Sequence, residues 1–235
     1  SPSKATQVIA QLRKLLLADR KDPATHYELG LVLSETGDVE SAAKELETSI
    51  NLQPIFPEAH FAQGLLRWRR NDLDGAIGEV RLALSQKQAY PEAHNALGLL
   101  LGRKGQDEQE VVHEFVEAIR ERPDFAEPHH NLGLVLAQLG KVDESIKELR
   151  EAVRLRPGYA EAHNSLGLAV VERNVDHAIA EYQNALQLKP NFIEVQFNLA
   201  LAYRRKYGVQ REIEQLRNVI KLDPKHLLAR NTLAR

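Results

Sequence analysis

A chain of 235 residues, 43% hydrophobic and 27% charged, has the make-up of an ordinary soluble fold, and its formal net charge of −2 excludes the basic excess of a nucleic-acid or membrane-surface specialist. With no cysteine there is no disulfide framework, thiolate metal site or cysteine nucleophile. The longest apolar run, around Leu97 to Leu101, falls far short of the ~18 residues of a membrane span. The start, Ser1-Pro2-Ser3-Lys4, is no signal peptide and lacks an initiator methionine, so a fragment or processed chain is expected. The composition leaves the compartment open, with the cytoplasm as the default expectation.

In chain order, residues 5–21 predict a lone helix with Val8, Ile9, Leu12, Leu15 and Leu16 on one side, within a segment 1–22 that precedes a repeat. Six units then follow over residues 23–226, opening at Pro23, Pro57, Pro91, Ala126, Ala160 and Ile193. Gly30, Gly64, Gly98, Gly133 and Gly167 stand 34, 34, 35 and 34 residues apart, with Ala200 in the sixth place. Four residues before each stands His26, His60, His94, His129 or His163, with Gln196 in the sixth unit. Pro54, Pro123, Pro157, Pro190 and Pro224 close five units, and Gln88 breaks that set. An aromatic ring, Phe56, Tyr90, Phe125, Tyr159 or Phe192, precedes each of the next units.

Inside a unit the apolar spacing is helical. In the fourth, Ala126-Glu127-Pro128-His129 opens a helix; Leu132, Val135, Leu136 and Leu139 make its stripe, and Gly140 stops it. Asp143 and Glu144 suit the positive end of a second helix, whose stripe is Ile146, Leu149, Ala152, Val153 and Leu155 before Pro157-Gly158. Unit three carries one extra residue and has Val111-Val112 where a small residue is expected; unit five is one residue short and lacks the turn glycine. Unit six has Glu212 at the small-residue position, which predicts a solvated face there. Residues 227–235 read as the start of a seventh unit or a C-terminal cap helix.

This unit resembles the tetratricopeptide repeat on its Leu-Gly pair, the second-helix alanine (Ala42, Ala76, Ala178), the turn glycine (Gly37, Gly105, Gly140) and the closing proline. The resemblance covers roughly residues 23–226. It implies an all-α fold, a right-handed α-solenoid of about six helix-turn-helix repeats, and a non-catalytic scaffold with no cofactor.

Catalytic and metal motifs do not survive inspection. Gly98, Gly102 and Gly105 fit neither a phosphate loop nor a dinucleotide turn. His113-Glu114 opens like a zinc-protease motif, but Glu117 stands where the second histidine belongs. Histidines one repeat apart are separated by a helix spacing of ~8–10 Å, too far to share an ion that needs ligands at ~2.0–2.1 Å, so the ladder is predicted to fill helix–helix contacts. The aromatics are expected to staple back on the first turn of the following helix. Arg67-Trp68-Arg69-Arg70 and Tyr203-Arg204-Arg205-Lys206-Tyr207 are expected to be solvated helix ends suited to the dipole.

Numbering each unit from its first residue, positions 4, 7 and 11 read as the apolar-and-histidine face and are assigned to the core; positions 2, 5, 9 and 12, flanked by 13, form the opposite face. In arrays of the family it resembles, that second face lines a concave groove. The peptide-binding candidates there are Tyr27, Leu31, Phe61, Leu65, Trp68, Arg69, Asn95, Leu99, His130, Asn131, Leu134, Asn164, Leu168, Phe197 and Asn198. Tyr27, Leu31, Phe61, Leu65 and Trp68, the sole tryptophan, are the expected hot spot. Position 9 is leucine in all six units; position 2 is glutamate in five (Glu58, Glu92, Glu127, Glu161, Glu194), read as dipole complements.

Domains that capture a terminal carboxylate of chaperones use cations and asparagines where this chain has Tyr27, Leu31, Ala62, Glu92 and Ala96, so that role is not expected. The array of O-linked N-acetylglucosamine transferase carries asparagine at position 6, matched here only by Asn131 and Asn198. The leading expectation is therefore a scaffold for another protein or peptide, with no nucleic-acid or membrane partner and with self-association through terminal helices as a further outcome. The alternative is a substrate-recruiting arm of a larger multidomain enzyme such as a glycosyltransferase.

Overall fold

The computed structural model describes residues 4–234 and is all-α, with fourteen helices and no strand among the described residues. It forms two compact units. In the first, Ser1–Arg122, α1 (Lys4–Ala18) precedes three helix pairs: α2 (Pro23–Glu35) with α3 (Val39–Leu52), α4 (Pro57–Arg69) with α5 (Leu73–Gln86), and α6 (Pro91–Lys104) with α7 (Glu108–Glu121). In the second, Pro123–Arg235, α8 (Ala126–Gln138) pairs with α9 (Val142–Leu155), α10 (Ala160–Val170) with α11 (Val175–Leu188) and α12 (Ile193–Tyr207) with α13 (Val209–Leu222), and α14 (Leu227–Leu233) follows.

Local chemistry sets these boundaries. Proline at the first helical position opens α2, α4 and α6, where its missing N–H costs no hydrogen bond. Asp38, Asp72 and Asn174 cap α3, α5 and α11 by accepting from the amides of Ser41, Gly75 and His177. The turns inside the pairs use left-handed backbone at Gly37, Gly105 and Gly140; in the second pair Asn71 takes that conformation at φ 62°, which asparagine tolerates better than other side chains. Unit five makes its turn without such a residue. There α10 stops after 11 residues, and the amides of Arg173 and Asn174 both donate to the Val170 carbonyl, which absorbs the missing residue. The extra residue of unit three lengthens α6 to 14.

The periodic glycine is a packing requirement. A Cβ on Gly167 would lie 2.5 Å from Tyr182, and one on Gly98 would lie 2.7 Å from Phe115, so each first helix rides directly on a large side chain of its second helix. Around these contacts, Leu29, Leu33, Ala42, Leu46 and Leu66 make one core with Leu12 of α1, and Leu149, Leu166, Val170, Ile179, Tyr182 and Leu199 make another. Val111 is buried where a smaller residue was expected.

Several sequence expectations need correction. Only Leu12 of α1 is buried, while Val8 and Leu15 are exposed, because α1 packs mainly on α2 and one narrow stripe suffices. Gln63 interrupts the apolar face at position 7; it is buried with its Oε1 unpartnered. Glu212 does not lie on a solvated face. It is 2% exposed, and its charge is met by Arg204 at 3.4 Å, leaving one carboxylate oxygen without a partner. No helix among the described residues is long and apolar enough to cross a membrane.

Candidate peptide-binding face

The first helices are held in place by a repeated clamp. The Nδ1 atoms of His26, His60, His94, His129 and His163 meet Glu45, Glu79, Glu114, Glu148 and Glu181 at 2.6–2.8 Å. The Nε2 atoms meet the carbonyls of Arg20, Pro54, Gln88, Pro123 and Pro157 at 3.0–3.2 Å. Carboxylate and carbonyl both accept, so the ring satisfies both only when both nitrogens carry hydrogen. Each clamp therefore ties a first helix to its second helix and to the segment before it.

The electrostatics agree where a shift is seen. Burial is the largest influence on His94 and His129 and opposes their charge, but the hydrogen bonds to Glu114 and Glu148, the bonds to the Gln88 and Pro123 carbonyls and the nearby carboxylate charges together outweigh it and raise both. At His163 the bond to Glu181 is itself the largest influence, and the pKa rises. Burial pushes Glu181 up, yet His163 and His177 together hold it below the usual carboxylate range. In the sixth unit Gln196 donates to the Pro190 carbonyl at 2.8 Å, and Gln215 stands where the other units have glutamate, so acid and base are replaced together. Among the described residues no three metal-type side chains cluster.

Above this framework lies the candidate face. Tyr27, Leu31, Phe61, Leu65 and Trp68 are all half-buried on α2 and α4, with Asn95 and Leu99 half-buried on α6. Arg69 is exposed and donates to both the carbonyl and hydroxyl oxygens of Ser34 on α2, at 3.1 and 2.9 Å. In the second compact unit, Leu134 and Leu168 are 39% and 46% exposed, Asn131, Phe197 and Asn198 are half-buried, and His130 and Asn164 are buried. His130 accepts from the Tyr159 hydroxyl at Nδ1 and donates from Nε2 to Ser165, 3.0 Å away. Burial lowers its pKa, which favours the neutral ring, the opposite direction to its neighbour His129. Asn164 accepts from Asn198 at 3.0 Å and donates to Glu194. These two side chains are engaged in packing. Leu201, 38% exposed, stands at the same position as Leu134 and Leu168, in line with the leucine repeated at position 9.

Three of the five aromatics pack against a ring of the preceding first helix. The Phe56 ring lies 5.0 Å from Tyr27, Tyr90 5.0 Å from Phe61, and Tyr159 4.9 Å from His130, so each closes over the position-5 side chain of its own unit. Cations cover some of those rings in turn, Lys87 over Tyr90 and Arg156 over Tyr159. The same cations and two others neutralise four of the five glutamates of the row: Lys87 with Glu58, Arg122 with Glu92, Arg156 with Glu127, and Lys189 with Glu161. The basic clusters are likewise committed rather than free, Arg67 to Asp72, Arg70 to Glu40, Arg205 to Glu172 and Lys206 to Asp176.

Comparison with known proteins follows the same lines. A family model described as TPR repeat matches residues 135–172 and 174–206, and one described as tetratricopeptide repeat matches residues 27–94. No curated protein sequence matches. Among solved structures, the chain is similar to PilF of Pseudomonas aeruginosa, at 19% identity and a TM-score of 0.81 over 90% of this chain and 96% of that one. It is also similar to a chain of the APC/C hetero-tetramer Cut9–Hcn1, at 18% identity and a TM-score of 0.80; it spans 99% of itself but 46% of that chain. A third is YrrB, described as a TPR protein with an unusual peptide-binding site, at 21% identity and a TM-score of 0.68 over 82% of this chain and all of that one. Identities this low speak for the fold alone.

Proposed function

Because this chain belongs to the tetratricopeptide repeat family, whose repeats serve as protein-interaction scaffolds, we propose that it is a non-catalytic adaptor that holds an extended peptide or partner helix on its first-helix face. The observation that carries this reading is the contrast between positions 7 and 9 of the first helices. Leu132, Leu166 and Leu199 at position 7 are buried, whereas Leu134, Leu168 and Leu201, two residues further on, are 38–46% exposed. A row of exposed leucines on one face marks a docking surface more often than idle surface. In the first compact unit the corresponding face carries Tyr27, Phe61 and Trp68, half-buried rings whose bodies are fixed by packing and whose remaining surface is free to contact a ligand. Rings pre-set in this way lose little entropy on binding.

The test begins with capture of the partner from the native source and its identification by mass spectrometry. Isothermal titration of the identified partner segment into the chain then compares variants, since Trp68 is the sole tryptophan and cannot report on its own removal. Trp68→Ala is expected to leave folding nearly intact and lower affinity about 30-fold or more, the loss of a hot-spot aromatic. Leu132→Ala, a buried position, is expected instead to destabilise by about 2–5 kcal/mol. A Trp68→Ala protein that melts early yet binds normally would show that the ring belongs to the core and that the reading is wrong.

A further inference from the structure

A second site lies on the side of the second helices, in the cleft of about 560 Å³ that α9 and α11 form over the end of α10. None of the first-helix positions 2, 5, 9 or 12 borders it, so it is separate from the face described above. Its floor is apolar, with Ile146 and Val170, and four cations stand around it: Lys147, Arg150, Arg154 and Arg173. Two carboxylates share the lining, but both are matched already, Asp143 by Arg173 and Glu151 by Arg154. Lys147 and Arg150 remain; both are exposed, and among the described residues neither side chain makes a hydrogen bond or ion pair.

The repeat supplies an internal comparison. Aligned on the small-residue position of the second helix, the residues two, five and nine further on are Lys44, Glu47 and Asn51 in α3, and Gly78, Arg81 and Ser85 in α5. They are His113, Val116 and Arg120 in α7, Ala180, Gln183 and Gln187 in α11, and Glu214, Arg217 and Lys221 in α13. Only α9 places a cation at all three, Lys147, Arg150 and Arg154. The cleft at the matching place between α3 and α5, over the end of α4, has Glu47 and Asn51 where this one has Arg150 and Arg154. The framework of the repeat therefore does not demand the basic lining.

We propose that this cleft binds an acidic segment of a partner protein, one that sets carboxylates against Lys147 and Arg150 and an aliphatic side chain on Ile146 and Val170. Charge complementarity and the apolar floor select that occupant. A nucleic-acid strand would find no phenylalanine, tyrosine or tryptophan in the lining on which to stack a base, and the one imidazole there, His177, is tied to Glu181 at 3.1 Å. The surplus of two unpaired cations also sets the scale: exposed ion pairs are individually weak, so recognition here is modest in affinity and sensitive to salt.

The test is a fluorescence-polarisation titration at low ionic strength with a labelled short peptide of alternating glutamate and leucine. A lysine–leucine peptide and an unlabelled oligothymidylate of equal charge serve as controls. The acidic peptide is expected to bind the native chain and to lose about tenfold or more in affinity with Lys147→Glu plus Arg150→Glu, two repulsions replacing two attractions. Lys147→Gln plus Arg150→Gln should give an intermediate loss, and Trp68→Ala should change nothing. Circular dichroism checks that the variants stay folded, as exposed substitutions should. The proposal is overturned if the acidic peptide does not bind, if the charge reversals leave its binding unchanged, or if Trp68→Ala abolishes it. It is equally overturned if oligothymidylate competes as well as the acidic peptide does, since the cleft would then read charge alone.

Discussion

Replacing His163 by glutamine tests the clamp quantitatively. The ring makes a 2.6 Å bond to Glu181 and a 3.0 Å bond to the Pro157 carbonyl. Glutamine can keep the second, as Gln196 does with Pro190 at 2.8 Å. It forfeits the charge-assisted bond, worth about 1.5–3 kcal/mol, and leaves Glu181, only 9% exposed, with His177 at 3.1 Å as its remaining partner. Because His177 still compensates part of that charge, the cost should be about 2 kcal/mol, or roughly 5 °C in melting temperature for a chain of this size. Adding Glu181→Gln reproduces the Gln196–Gln215 arrangement of the sixth unit and should recover most of the loss.

The pH dependence follows from the direction of the shifts. The folded pKa of His163 is raised, so its contribution is complete below the ordinary histidine value of about 6.5 and is lost as pH rises through the raised value. His94 and His129 act in the same sense. His130, lowered by burial, acts oppositely and costs stability as pH falls below about 6.5. Glu181, lowered, loses its contribution only in more acidic solution, as pH falls below about 4.5 through its depressed value. Circular-dichroism melts at about pH 6 and about pH 9 should therefore show the His163→Gln penalty at the lower pH and little of it at the higher. An equal penalty at both, or a double variant no better than the single, would refute the charged clamp.

Two glycines should respond in opposite directions. Gly167→Ala places a methyl 2.5 Å from Tyr182 and is expected to cost about 1–3 kcal/mol in a urea titration, whereas Gly78→Ala, in the exposed middle of α5 with nothing within 4 Å, should gain about 0.5–1 kcal/mol of helix stability. Equal effects would mean that close approach does not explain the repeated glycine. Glu212→Ala installs the residue that units one, two and five carry at that position, removes a buried oxygen without a partner and leaves Arg204 free to reach solvent. It should raise stability by about 1 kcal/mol, and a lower melting temperature would show that the ion pair contributes net stability.

The period was legible because packing writes it into residue type. Gly98 and Gly167 recur since a large side chain of the second helix, Phe115 or Tyr182, occupies the space a Cβ would need. The histidines recur since each has two acceptors to reach. The polar half of that clamp was not read, because Glu181 lies 18 residues after His163 and Glu114 lies 20 after His94, spacings that shift with each insertion and carry no helical period. The ring partners of Phe56 and Tyr90 were not read for a similar reason: Tyr27 and Phe61 stand 29 residues earlier, and only the folded helix pair brings the rings to 5.0 Å.

The sequence by itself determined the helices, their pairing and the all-α repeat, since apolar period, caps and turn glycines are local properties that every unit repeats. What only the tertiary structure decided is which charges are free. In one dimension the glutamate row, the basic clusters and the cations of α9 look alike. Folding brings Lys87 to Glu58, Arg156 to Glu127 and Arg70 to Glu40, roughly one helix pair away in sequence, and leaves Lys147 and Arg150 without partners. Coulomb interaction depends on distance through space, and a surface charge is a recognition element only when nothing in its own chain has come near enough to neutralise it.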